Sequence, residues 1–147
     1  MRGRENIMVI LSSPSGVGKT TITKKIQQKY PSFKISVSHT TRLARSNEVD
    51  GIDYNFISDA KFKKLINENK FYEYAKIFDN YYGTLKKNGD ELILKNDLIF
   101  DIDWQGTKQL SKFKNLKLIK IFLIAHKKEE LKNRLIKRNQ NSLQEIE

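Results

Sequence analysis

The apolar run at residues 7–11 has the length of a buried strand, and the pattern that follows it changes period. Within the polar stretch 20–29, Ile22 and Ile26 recur at i, i+4, which predicts an amphipathic helix. Tyr30-Pro31 breaks that pattern, and residues 34–38 predict a short strand. Beyond a polar loop at 43–53, residues 54–57 predict another strand. Ser58 stands where an N-cap belongs, ahead of a helix over 59–69 with Phe62, Leu65 and Ile66 on one face. Residues 71–78 alternate as a strand does and run into a predicted turn at 79–83. From about 85, helices and strands take turns: a helix over 85–94, a strand at 98–101, a helix over 105–113, a strand at 118–124 and a helix over 127–138. The stretch 118–124 is almost wholly apolar, which predicts a parallel strand covered on both faces. This is an α/β rhythm, interrupted between about 35 and 84 by a small α+β insertion.

Composition narrows the class. At 147 residues the chain has the size of one domain with a real core. No apolar run approaches the roughly 20 residues of a membrane helix, and the first one is too short for a signal peptide. There is no cysteine, so disulfide and thiol chemistry are excluded. A soluble, cytoplasmic protein without a membrane partner is expected, and nothing in the sequence fixes an oligomeric state. The net charge of +11 raises nucleic acid as a partner. The lysines are dispersed along the whole chain, however, so no specific nucleic-acid partner is expected, and anionic nucleotides account for part of the charge.

The sharpest chemical signal is Ser13-Pro14-Ser15-Gly16-Val17-Gly18-Lys19-Thr20, between the first strand and the first helix. Strand, glycine-containing loop and helix N-terminus are what a phosphate-binding loop needs. Small residues let the backbone wrap a phosphate, Lys19 reaches its outer oxygens, and the Thr20 hydroxyl serves Mg²⁺. Ser13 replaces the first glycine of that pattern, a mild departure. Asp101 closes an apolar strand and Asp103 follows it, at the carboxyl end where open parallel sheets bind ligands. The six arginines include two close pairs, Arg42 with Arg45 and Arg134 with Arg138. Guanidinium forks grip phosphate in a way lysine cannot, so each pair marks a phosphate-handling place.

Taken with Ser36-Val37-Ser38-His39-Thr40-Thr41-Arg42, Gly51-Ile52-Asp53-Tyr54-Asn55-Phe56, Tyr81-Tyr82-Gly83-Thr84 and Asp101-Ile102-Asp103-Trp104-Gln105-Gly106, the phosphate loop resembles that of the guanylate kinase family. The resemblance implies an α/β, P-loop nucleoside monophosphate kinase fold in a single domain. A parallel-sheet core would span about 1–34 and 85–125, an inserted small α+β GMP-binding domain about 35–84, and a partial helical lid about 126–147. It implies Mg²⁺-dependent transfer of the ATP γ-phosphate to GMP, giving ADP and GDP, in purine nucleotide metabolism.

Site residues follow by position. ATP falls to Ser13, Pro14, Ser15, Gly16, Val17, Gly18, Lys19 and Thr20. Glu73 is assigned to guanine, whose N1–H and N2–H₂ donors one carboxylate can accept together, with the hydroxyls of Ser38 and Thr84 beside it. Arg42, Arg45, Tyr54 and Tyr82 clasp the GMP phosphate, Asp103 faces GMP, and Asp101 joins Thr20 at Mg²⁺ through water. Arg134 and Arg138 look like lid arginines which, with Lys19 and Arg42, stabilise charge on the transferred group. By comparison with the family the sequence is C-terminally shortened, ending inside or just beyond the lid. Two other readings therefore stand beside the first: a truncated nucleotide-binding form with little or no activity, and a non-catalytic guanylate-kinase-like module that binds phosphopeptides. Intact Lys19, Thr20, Arg42 and Arg45 and the lid pair Arg134 and Arg138 argue against the module.

Overall fold

The computed structural model describes residues 5–14 and 16–138, except for the side chain of Arg138. Thirteen elements follow one another as β1 (Met8–Ser12), α1 (Lys19–Lys29), β2 (Phe33–Ser36), β3 (His39–Thr40), β4 (Asn55–Phe56), α2 (Asp59–Asn67), β5 (Phe71–Ile77), β6 (Asn80–Leu85), α3 (Lys86–Ile93), β7 (Asp97–Asp101), α4 (Trp104–Leu110), β8 (Leu118–Phe122) and α5 (Lys128–Arg138). They build two sheets. The first is wholly parallel, in the order β2-β7-β1-β8. The second runs β4-β3-β6-β5, with antiparallel pairing of β6 to both β3 and β5.

The apolar run of β1 is explained by its place inside the parallel sheet. Met8 and Ile10 face one way and pack with Leu98, Phe100, Ile102, Leu110 and Tyr72. Val9 and Leu11 face the other way and pack with Ile99, against which Ile22 and Ile26 of α1 lie. Burying one such side chain contributes about 1.5–3 kcal/mol, so a strand covered on both sides needs apolar residues at every position. In the second sheet, Ser58 caps α2 as expected, its hydroxyl accepting the Lys61 N–H at 3.2 Å. Phe62 of that helix is fully buried, its ring stacked 4.5 Å from Phe71 and 5.3 Å from Tyr81.

Two expectations are corrected. Residues 79–83 are mostly strand, not a turn: the chain reverses at Phe78-Asp79, with Phe78 at φ 53 and Ile77 paired to Asn80, and β6 runs on from there. Gly83, which suggested a turn, instead permits close approach, since a Cβ there would stand 2.9 Å from the Glu73 carbonyl and 3.0 Å from the Phe71 ring. The strand expected at 118–124 is shorter and is not covered on both faces. Among the described residues β8 pairs only with β1, and Ile119, Ile121 and Phe122 are 45%, 42% and 58% exposed.

Candidate active site

The phosphate loop takes its shape from two glycines. Gly16 sits at φ 84 and Gly18 at φ 96, left-handed conformations that open the loop and then start α1 at Lys19. Gly16 is also a contact point, because a Cβ there would meet Leu135 at 3.0 Å and Leu131 at 3.1 Å. Thus α5 lies against the loop, and from it Arg134 Nη1 donates to the Val17 carbonyl at 3.4 Å while Nη2 binds Glu130 at 2.6 Å. Ser15 and the Arg138 side chain, both expected at the site, lie outside the described residues.

Asp101, at the carboxyl end of β7, gathers the two reactive side chains of α1. Lys19 Nζ stands 2.8 Å from its Oδ1, and the Thr20 hydroxyl donates to its Oδ2 at 3.2 Å. Lys19 also donates to the Ile102 carbonyl at 3.3 Å. Asp103 begins the next element: its Oδ1 accepts the Gly106 N–H at 2.9 Å and caps α4, while its Oδ2 accepts from Gln105 at 3.2 Å. Next to it Trp104, the only tryptophan of the chain, is 64% exposed.

On the opposite wall Arg42 is held in a two-pronged ion pair, its Nη1 and Nη2 reaching Glu48 at 3.0 and 2.8 Å. The same carboxylate accepts the Arg45 N–H at 2.8 Å and stands 4.0 Å from the Arg45 guanidinium. Burial works against charge on both partners, but their mutual bonding wins: Glu48 is held below the usual carboxylate range and Arg42 above its ordinary value. Arg42 also lies over the Tyr54 ring at 5.4 Å, and Tyr54 meets Tyr82 edge-on at 6.0 Å. Burial raises the Tyr54 phenol, so it stays protonated as a donor. Sequence reasoning missed Glu48. The available signal was an acid three residues after Arg45, in a loop whose carboxylates bind backbone amides: Asp53 takes the Val49 N–H at 2.9 Å and Asp50 the Phe56 N–H at 2.9 Å. Asp53 further ties this loop to α1 through Lys24 at 3.0 Å.

Glu73 is the most unusual group. It lies on β5, is only 3% exposed, and its Oε1 has no hydrogen-bond partner. Burial, aided by the nearby charge of Asp103, raises its pKa to about 7, against the opposing effects of hydrogen bonding from Thr84 and the charge of Lys19. Thr84 is fully buried, its hydroxyl 3.4 Å from that of Ser38. A cavity of about 190 Å³ brings the groups together. The phosphate loop and Lys19, Asp101 and Asp103, Arg42 and Arg45, Tyr54 and Tyr82, and Ser38 with Glu73 all line it. One end carries the cationic side chains Lys19, Arg42 and Arg45; the other holds a buried acid whose Oε1 lacks a partner.

A family model described as guanylate kinase matches residues 5–147. The guanylate kinase of Paramagnetospirillum magneticum is 43% identical over 140 residues, covering 95% of this chain and 65% of that protein. That of Rickettsia prowazekii is 45% identical over 132 residues, covering 89% and 66%. A crystal structure of guanylate kinase from Anaplasma phagocytophilum superposes with a TM-score of 0.75 at 33% identity, over 90% of this chain and 67% of that one. The chain thus spans about two thirds of the length of the relatives it matches.

Proposed function

Since the chain belongs to the guanylate kinase family, we propose that it transfers the γ-phosphate of ATP to GMP, giving ADP and GDP, as a cytoplasmic enzyme of purine nucleotide metabolism. The observation that carries this reading is Glu73: a buried carboxylate with a free Oε1, lining the same cavity as the phosphate loop. Guanine offers N1–H and N2–H₂ side by side and satisfies that acid, whereas adenine presents an acceptor at N1 and leaves it unpaired. An unpaired buried acceptor costs about 1–3 kcal/mol, which favours guanine over adenine by roughly fivefold to a hundredfold.

In this reading the loop from Ser13 to Thr20 holds the ATP phosphates and Lys19 bonds the transferring group. Arg42 and Arg45, set by Glu48, take the GMP phosphate together with Tyr54 and Tyr82, and Ser38 lines the base with Glu73, with the buried Thr84 hydroxyl behind them. Asp103 bounds the GMP side while capping α4. No protein nucleophile is required, because fixing the attacking oxygen in line and neutralising charge supply the acceleration. Arg134, beside the loop on α5, and Arg138 are proposed to stabilise charge on the group in transit. The Thr20 hydroxyl and the Asp101 carboxylate, 3.2 Å apart, are hard oxygen ligands of the kind Mg²⁺ accepts alongside water and substrate phosphates. When bound there, the ion supplies charge neutralisation to the phosphate oxygens.

The deciding experiment measures ADP formed from Mg-ATP with GMP, AMP, UMP or no acceptor. ADP that forms with GMP alone supports the proposal. Equal ADP without an acceptor, or none with any acceptor from folded chain, overturns it.

A further inference from the structure

Helix α4 comes so close to β5 that a side chain on its third residue would meet the Glu73 carboxylate. A Cβ at Gly106 would stand 2.4 Å from Glu73 Oε2 and 3.0 Å from its Cδ, well inside van der Waals contact. One turn further on, Gln109 bonds the strand much as a neighbouring strand does. Its Oε1 accepts the Tyr74 N–H at 3.0 Å and its Nε2 donates to the Tyr74 carbonyl at 2.6 Å. Both bonds fall on the residue that follows Glu73. They also fall on the edge strand of the second sheet, which among the described residues has no strand on its outer side. The acid expected to read the base is therefore located by a helix of the other sheet's half of the chain, through a side-chain amide and an absent side chain.

We propose that Gly106 and Gln109 are positioning residues of the base site: Gln109 fixes the backbone of β5 beside Glu73, and the bare Cα of Gly106 leaves the Glu73 carboxylate its place, with Oε1 unpartnered. The inference rests on the reading of Glu73 as the guanine acceptor. Neither residue touches the nucleotide; both act through the position of that carboxylate. A methyl group at 106 drives the far end of Glu73 out of its seat, and a shift of that size at a recognition group costs up to about a hundredfold. A role in packing alone predicts something else, a general loosening that affects every ligand.

The test is a double-mutant cycle on the full chain, with calorimetric binding of GMP and of ATP and the melting temperature of each variant. Gly106→Ala is expected to weaken GMP by roughly tenfold to a hundredfold and ATP by less than about twofold. In the Glu73→Gln background the same change is expected to weaken GMP by no more than about twofold, because the group it acts through is already altered. Gln109→Ala is expected to shift GMP in the same direction by a smaller factor, and it decides the matter if Gly106→Ala does not fold. Equal losses in the two backgrounds, parallel losses of GMP and ATP, or unchanged GMP binding in both single variants would overturn the proposal while leaving the base-site reading intact. If Glu73→Gln itself binds GMP as the parent does, the base-site reading falls, and the positioning proposal with it.

Discussion

Glu73 carries a stability cost that its expected ligand would relieve. Its folded pKa of about 7 lies above the ordinary 4.5, so the folded chain holds the proton more tightly than the unfolded chain does. Below pH 4.5 both states are protonated and the burial costs little; as pH rises through 7 the folded state must accommodate a buried charge, at a cost of roughly 3 kcal/mol. Glu73→Gln should therefore stabilise the ligand-free chain at pH 8 and change it little at pH 4.5, as read from urea midpoints at the two values. The same variant should lose GMP turnover by about a hundredfold while ATP binding stays near normal. Lys19→Ala is expected to cut ADP formation with GMP by at least a hundredfold. In the sequence Lys19 was legible from the loop motif alone. Glu73 was not, because an acid on an alternating strand reads as a solvent-facing residue; only the family resemblance marked it.

At the scale of elements, the two loop glycines separate strain from contact. Both lie at positive φ, so alanine at either position costs about 1 kcal/mol in backbone strain. Only Gly16 has neighbours within reach, the α5 leucines, while Gly18 faces open space. Gly16→Ala should thus lower the melting temperature more than Gly18→Ala, and should loosen α5 from the loop, read as faster amide exchange in that helix. α1 and α2 were legible because each repeats its period against one packed face, and β1 and β7 because a strand buried on both faces is an unbroken apolar run. The loop 43–53 was not, since its order comes from Glu48, Asp50 and Asp53 bonding the amides of Arg45, Phe56 and Val49. Such bonds leave no periodic trace. Gly83 misled for a related reason: a glycine that admits a neighbouring chain looks, in sequence, like one that turns.

For the whole molecule, the two sheets meet around the cavity, and polar ties join their halves among the described residues. Lys24 with Asp53 is one and Gln109 with Tyr74 another. Lys24 is half exposed, so removing its charge should change stability by less than about 1 kcal/mol. Ligand has far more leverage on the folded state: GMP at a hundred times its dissociation constant should add about 2.7 kcal/mol and raise the melting temperature accordingly. The α/β class and the parallel core were readable from the alternation of strand and helix. The exposed apolar face of β8 was not, because hydropathy records what a residue prefers and not which neighbour meets it.

The buried acid also makes recognition a chemical event that can be counted. Burial lifts the Glu73 pKa to about 7, and a carboxylate that accepts both guanine donors must give up the proton it holds below that. Capture of GMP near neutral pH then releases protons from Glu73 to the solvent. The apparent heat of binding should accordingly differ between phosphate and Tris buffers, and that difference should shrink in Glu73→Gln.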